Sequence, residues 1–216
     1  GTIVGTNAFR LYEGELGIRL PLGGLENTCD IDIAQFERLS VALEDYVDEA
    51  LSETFSILKF DPVPDLDPNK TWRWAQGGSG QLVEFLTPAF GQETVRELPA
   101  LGVNAHALNY LNYLIADPIY AAAIYRSGIL VQVPRPEKFA VHKLIVADRR
   151  RGGPDQLKAS KDREQAAFLF EVMAEDRPDD LSAAYTAAME AGSRWREHIE
   201  NSLKRLPNIR DILKNI

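Results

Sequence analysis

The sequence predicts an α+β domain over residues 1–135 followed by a helical domain over residues 136–216. Three observations carry that expectation. Between Thr28 and Ala34 apolar and acidic residues alternate, the period-two signature of a strand with two unlike faces. Lys70–Gln76 and Gln81–Thr87 flank Gly77-Gly78-Ser79-Gly80, and Ala121–Tyr125 is followed closely by Gly128–Val133, so each pair reads as a hairpin. From Pro136 onward the apolar spacing turns helical, and a run of strands followed by a run of helices is the α+β pattern.

Composition bounds the function. The chain has 216 residues, 45% apolar and 26% charged, ordinary for a globular protein able to bury a core. No apolar run is long enough to cross a membrane, and no basic segment leads into an apolar one, so no membrane partner is expected. Cys29 is the single cysteine, which excludes an internal disulfide and fits a cytoplasmic protein. A net charge of −8 argues against nucleic-acid binding by bulk charge but leaves room for a local basic cleft. The chain opens at Gly1 directly in an apolar run, which suggests a preceding segment that would serve as a docking piece for a protein partner.

In chain order, Thr2–Thr6 reads as a short buried strand ending in glycine. A helix follows over Asn7–Leu16, with Asn7 as N-cap, Ala8, Leu11, Tyr12 and Leu16 at helical spacing, and Gly17 as its end. A loop spans Leu20–Thr28. Ser40 would cap a second helix whose stripe is Val41, Leu43, Tyr46, Val47, Ala50 and Leu51. A short strand is expected at Phe55–Phe60, then a proline-rich loop from Asp61. Leu108–Ile115 fits strand or helix. The helical half reads as Glu137–Arg150, Leu157–Ala174 and Leu181–Leu206, with a last turn at Ile209–Leu213 and Gly152-Gly153-Pro154 as the first linker.

The chemistry gathers on the acidic strand. Asp30 and Asp32 project from one side while Ile31 and Ile33 project from the other, into a core. Adjacent carboxylates repel unless a cation lies between them, and hard oxygen ligands suit Mg²⁺. A solvated acidic edge is the plain alternative for so short a motif. Glu84 sits in the otherwise apolar Leu82–Leu86, where a charge needs a reason: it faces solvent, meets Arg73 across the hairpin, or is a third metal ligand. At Gly5-Thr6 a strand turns into a helix, a geometry whose free N–H groups favour phosphate.

These elements resemble the polymerase-beta-type nucleotidyltransferases, in which a glycine pair, an Asp-x-Asp and a later acid form the site. Val4-Gly5-Thr6-Asn7-Ala8-Phe9, Thr28-Cys29-Asp30-Ile31-Asp32-Ile33-Ala34 and Val83-Glu84-Phe85-Leu86-Thr87-Pro88 carry the resemblance. So do the stretch from Val133 to Leu144 and Lys158-Ala159-Ser160-Lys161-Asp162-Arg163-Glu164-Gln165-Ala166; together these are similar to a bacterial, uncharacterised group of that fold. The resemblance implies a mixed sheet with helices and a helical C-terminal domain. It also implies transfer of a nucleoside monophosphate from a nucleoside triphosphate such as ATP to an acceptor hydroxyl on RNA or tRNA, protein or a small molecule. Asp30 and Asp32 would bridge two Mg²⁺ ions, with Mn²⁺ as the alternative, roughly 4 Å apart. Glu84 would hold the ion that activates the acceptor, and Gly5 and Thr6 would hold the triphosphate. Lys143 and Lys161 would neutralise its outer phosphates; Val141 and Leu144 place Lys143 near a packed surface. Some such proteins are toxins of toxin–antitoxin pairs, an analogy of fold.

Other residues weigh less. His106, His142 and His198 lie far apart, without zinc spacing, and His142 suits a core or hinge. Trp72 and Trp74 alternate on one strand, where they pack or stack a base. Arg149-Arg150-Arg151 suits a helix C-terminus, or an RNA backbone. Three rival functions are a sugar-nucleotide glycosyltransferase, a non-catalytic nucleotide-binding or interaction module on the same fold, and a structural partner in a complex.

Overall fold

The computed structural model describes residues 1–21, 24–25, 28–37, 42, 47, 51–65, 67 and 70–216. The chain divides into two compact units, Gly1–Leu20 with Glu26–Pro134, and Pro21–Leu25 with Arg135–Ile216. The first unit is built on a mixed sheet, with β1 (Thr2–Val4), α1 (Gly5–Leu16), β2 (Asp30–Ala34), α2 (Leu51–Ile57), β3 (Phe60–Pro62), β4 (Arg73–Gln76), β5 (Leu82–Pro88), β6 (Val95–Leu98), β7 (Val103–Leu108), α3 (Leu111–Ile115), β8 (Ile119–Ala123) and β9 (Ile129–Val133). The second holds α4 (Pro136–Arg149), α5 (Gln156–Asp176), α6 (Pro178–Glu190), α7 (Ser193–Leu203) and α8 (Pro207–Ile212). This is the α+β arrangement with a helical C-terminal part that the sequence predicts.

The sheet runs β3-β4-β5-β2-β1-β9-β8, with β7 also on β5 and β6 beyond it. Both expected hairpins form, β4–β5 and β8–β9, each antiparallel. The central neighbours β2 and β5 are parallel, so distant parts of the chain meet there. Along β5 the lower half pairs with β4 and the upper half with β7, which leaves a seam near Phe85. One face of these strands is covered by an aromatic cluster. Phe55 stacks on Trp74 with centroids 5.0 Å apart and meets Phe60 at 5.9 Å, and Trp74 meets Phe85 edge-on at 5.4 Å. Val83, Leu98, Val103 and Ala105 complete that core, with Ile31 and Ile33 packed against it, as the strand alternation requires.

Three local expectations change, and one strand is added. Phe55 lies in a helix, not a strand; a short apolar run does not distinguish the two, and the aromatic cluster decides. The helix starting after β1 begins at Gly5, with Val4 as its cap, so Asn7 is inside the first turn rather than capping it. The expected helix Leu181–Leu206 is two, α6 and α7, broken where Gly192 takes φ 153°, a conformation glycine tolerates. Strand β6 carries no clear alternation in Val95-Arg96-Glu97-Leu98 and is added by pairing with β7. The expected cap at Ser40 and most of the stripe from Val41 lie outside the described residues; Val47 and Leu51 are described, and Leu51 opens α2.

In the helical unit, Phe139, Val141, Leu144 and Ile145 of α4 are buried, as are Leu169, Phe170 and Met173 of α5, Leu181 of α6 and Ile199 of α7. Ser202 donates its hydroxyl to the Leu144 carbonyl at 2.6 Å. Among the described residues no helix is long and apolar enough to cross a membrane. Phe85 sits at the centre of the aromatic cluster, so Phe85→Ala is expected to lower the unfolding free energy by about 3–5 kcal/mol, read as a shifted denaturant midpoint. A loss below about 1 kcal/mol would show that the cluster does not hold the sheet.

Candidate functional site

Register places the acids. Val4 at the end of β1 is opposite Asp32, and Asp32 is in turn beside Glu84 on the parallel strand β5. Asp30 is level with Leu82. Residues two apart on a strand share a face, so Asp30, Asp32 and Glu84 all project opposite to the aromatic core.

Gly5 follows directly on Val4, and its φ of +64° is left-handed. A Cβ at Gly5 would stand 2.1 Å from Asp32 Oδ2. Any side chain there would displace the Asp32 carboxylate, so the glycine serves the acid as well as the turn. Asn7, one turn into α1, donates its side-chain amide to the Asp30 carbonyl at 2.6 Å and ties the helix start to the acidic strand. The Asp30 amide donates to Thr28 Oγ1 at 3.1 Å, a local bond that shapes the strand entry. Thr6 is half-buried in the first turn of α1.

The acids perturb one another. The Glu84 carboxyl is pushed up to about 7, first by burial, then by the negative charge of Asp32 and a hydrogen bond to it, then by Asp30; Arg73, opposite Glu84 in register, pulls the other way. Below about pH 7, then, the Glu84 carboxyl keeps a proton, which removes one of the two repelling charges. Among the described residues no three His, Cys, Asp or Glu side chains stand in a closed metal-ligating group. Asp32 and Glu84 are nonetheless neighbouring oxygen donors on two strands, the donor type that suits a hard divalent ion.

The structure thus brings Gly5, Asp32 and Glu84 into one place, with Asp30 close enough to act on Glu84. Lys143 and Lys161 belong to the helical unit. Lys143 is 7% exposed, with its amine 2.5 Å from Asp162 Oδ1 and over the Phe139 ring at 5.2 Å. Asp162 also takes Arg150 at 2.6 Å. Burial alone would raise the Asp162 carboxyl, but these two cations outweigh it and hold it below the usual range. Lys161 is half-buried on α5. His142 is a core residue, pushed down to about 3 by burial and by the charge of Lys143, and so neutral. Arg151 lies 3.6 Å from Asp148 at the end of α4.

The sequence of a nucleotidyltransferase family matches residues 1–190. The chain belongs to that family. A solved structure, an antigenic nucleotidyltransferase-like protein from Paracoccidioides brasiliensis, is similar to this nucleotidyltransferase-family chain with a TM-score of 0.50 at 13% identity, covering 99% of this chain and 83% of that one. No curated protein matches the chain. At that identity the structural likeness speaks for the fold, and the acids and the glycine speak for the site.

Arg73 and Asn7 escaped a functional reading of the sequence. Arg73 was legible as a hairpin partner of Glu84. Asn7 followed the ordinary preference of asparagine for helix caps, and only the bond to Asp30 reveals its part.

The raised Glu84 carboxyl sets a pH dependence. In the unfolded chain it ionises near 4.5, and in the folded, metal-free chain at about 7. Between those values the folded chain holds a proton that the unfolded chain lacks, so stability is lost as pH rises through the window. Melting temperature measured in chelator from pH ~5 to ~8 should fall for the wild type, and Glu84→Gln should flatten that fall. An unchanged slope in Glu84→Gln would place the proton elsewhere.

Proposed function

We propose that the protein is a metal-dependent nucleotidyltransferase that moves a nucleoside monophosphate from a nucleoside triphosphate to an acceptor hydroxyl. The observation that carries this reading is the contact set at the strand–helix turn: Asp32 beside Glu84, with Gly5 leaving room for the Asp32 carboxylate. The family match supports the reaction class.

The chain's own residues supply position and charge. Asp30, Asp32 and Glu84 offer carboxylate oxygens on one face of adjoining strands and would hold Mg²⁺, or Mn²⁺ in its place. When bound, a divalent ion offsets triphosphate charge and makes the acceptor hydroxyl more acidic. The free N–H groups of Gly5 and Thr6 at the start of α1 favour the anionic triphosphate. Asn7 keeps that helix start in line with Asp30. In the transfer the acceptor oxygen forms a bond to the α-phosphorus, the bond from the α-phosphorus to the bridging oxygen breaks, and pyrophosphate leaves with that electron pair. The hydroxyl proton leaves the acceptor for solvent as that bond forms, and Glu84, beside Asp32, serves as a ligand on the acceptor side.

Lys143 and Lys161 remain the cations proposed for the outer phosphates, on the resemblance alone. A toxin's action would follow from modification of an RNA or protein that growth requires, a setting suggested by fold analogy.

Incubation with each α-labelled nucleoside triphosphate, Mg²⁺ and total cellular RNA or protein tests the proposal. Label should appear in one acceptor fraction and fall at least about a hundredfold in Asp32→Asn or Asp30→Asn, with the fold intact by circular dichroism. Nucleotide binding without transfer in any fraction would favour the non-catalytic module. Full transfer in either Asn variant would reject the assignment of the acids.

A further inference from the structure

The two tryptophans of Thr71-Trp72-Arg73-Trp74 part company in the structure. Trp74 is 7% exposed and belongs to the aromatic core. Trp72 lies just outside β4, at the seam where β7 replaces β4 alongside β5. There the Phe85 amide donates to the Trp72 carbonyl at 2.9 Å and the Asn104 amide to the Thr71 carbonyl at 3.3 Å. The backbone is therefore held by both β5 and β7 while the Trp72 side chain leaves the core.

That side chain meets His106 of β7, with ring centroids 4.9 Å apart and a tilt of 39°. His106 is level with Leu86, two residues on from Glu84, so it projects to the face that carries the acids. The Trp72 indole N–H donates to Asp65 Oδ2 at 2.6 Å, which fixes the ring. The Arg73 guanidinium carbon stands 4.5 Å from the centre of the Trp72 ring. Arg73 Nε is buried and makes no hydrogen bond. Since Arg73 is directly opposite Glu84 in register, the guanidinium is laid on an aromatic ring one strand from the acid.

This placement has chemical content. A guanidinium beside Glu84 would normally close an ion pair with it. Here Trp72 holds it, and its outer N–H groups can take an anion. Next to it stand two half-buried aromatic rings, Trp72 and His106. Two neighbouring ring surfaces, tilted by 39° and joined to a guanidinium, fit one unit of an unpaired nucleic-acid strand, with the base on a ring and the phosphate on the arginine.

We infer that Trp72, Arg73 and His106 form the acceptor site, and that the acceptor is the end of a single-stranded polynucleotide. The inference rests on the transfer reading above, and it names the substrate class of that site. Base–ring stacking places the terminal nucleotide, and Arg73 holds the adjoining phosphate, so that a terminal hydroxyl comes to the Glu84 side of the acidic cluster. The net charge of −8 is consistent with a short contact rather than a long electropositive track.

The test uses the full chain and a fluorescent single-stranded RNA of about ten nucleotides, with its duplex as comparison and binding read by anisotropy. The wild type should bind the single strand in preference to the duplex. Trp72→Leu should weaken that binding about tenfold or more, while Trp72→Phe, which keeps a ring, should retain most of it. Arg73→Met should lower the slope of log affinity against log salt by about one unit. Magnesium–triphosphate affinity, measured separately by calorimetry, should be the same in Trp72→Leu as in the wild type. The Phe variant guards against a folding defect, since a purely structural Trp72 would not alter RNA affinity selectively.

Absence of RNA binding by the wild type overturns the inference. So does equal binding by wild type and Trp72→Leu, or label transferred only to protein, and each of these leaves the transferase reading in place. RNA binding that depends on Trp72, with no transfer of label to that RNA from any triphosphate, supports the polynucleotide site and counts against the transferase reading.

Discussion

Asp32 and Glu84 stand next to each other on parallel strands, partly withdrawn from water, and two negative charges there repel. The first unit is arranged around that repulsion. Below about pH 7 a proton on Glu84 relieves it, and Gly5 makes the crowding possible by presenting no Cβ within reach of the Asp32 carboxylate. A larger residue at position 5 would meet both a left-handed φ and a carboxylate oxygen 2.1 Å away. Asn7 then holds the helix start against the strand that carries Asp30. Turn, helix and acids therefore form one object.

The same strands serve two purposes through their two faces. Ile31, Ile33, Val83 and Phe85 look into the aromatic core, which fixes the register of β2 against β5. A slip of one residue would carry the isoleucines into the acidic face and the acids into the core, at the cost of burying unpaired charge. The hydrophobic face thus determines where the carboxylates stand. In the helical unit the corresponding constraint is Asp162, which holds two cations, one of them buried. Breaking such a pair by removing one partner is strongly destabilising.

Much of this was legible in the sequence, and the remainder has physical causes. Alternation marked β2, and the glycine-rich break marked the β4–β5 hairpin, because both signals are local. Glu84 stood out as a charge in an apolar strand. Its place beside Asp32 had no local signal, since parallel pairing joins segments far apart in the chain. The short apolar run from Phe55 reads as strand but fits either state, and packing on Trp74 and Phe85 makes it helix. Asn7 shows a common preference overruled by tertiary contact. Lys143 read as near a packed surface and is buried, with Asp162 as a partner that spacing alone did not disclose.

On the proposed function, Mg²⁺ displaces the proton that burial and the Asp32 charge keep on Glu84 below about pH 7. Calorimetric titration of the chain with Mg²⁺ near pH ~6.5, in two buffers of different ionisation enthalpy, measures it directly, because the difference in heat counts protons released. Saturable binding with release of a substantial fraction of one proton, lost in Glu84→Gln, is the expected result. Binding without proton release, or the same release in Glu84→Gln, would contradict it.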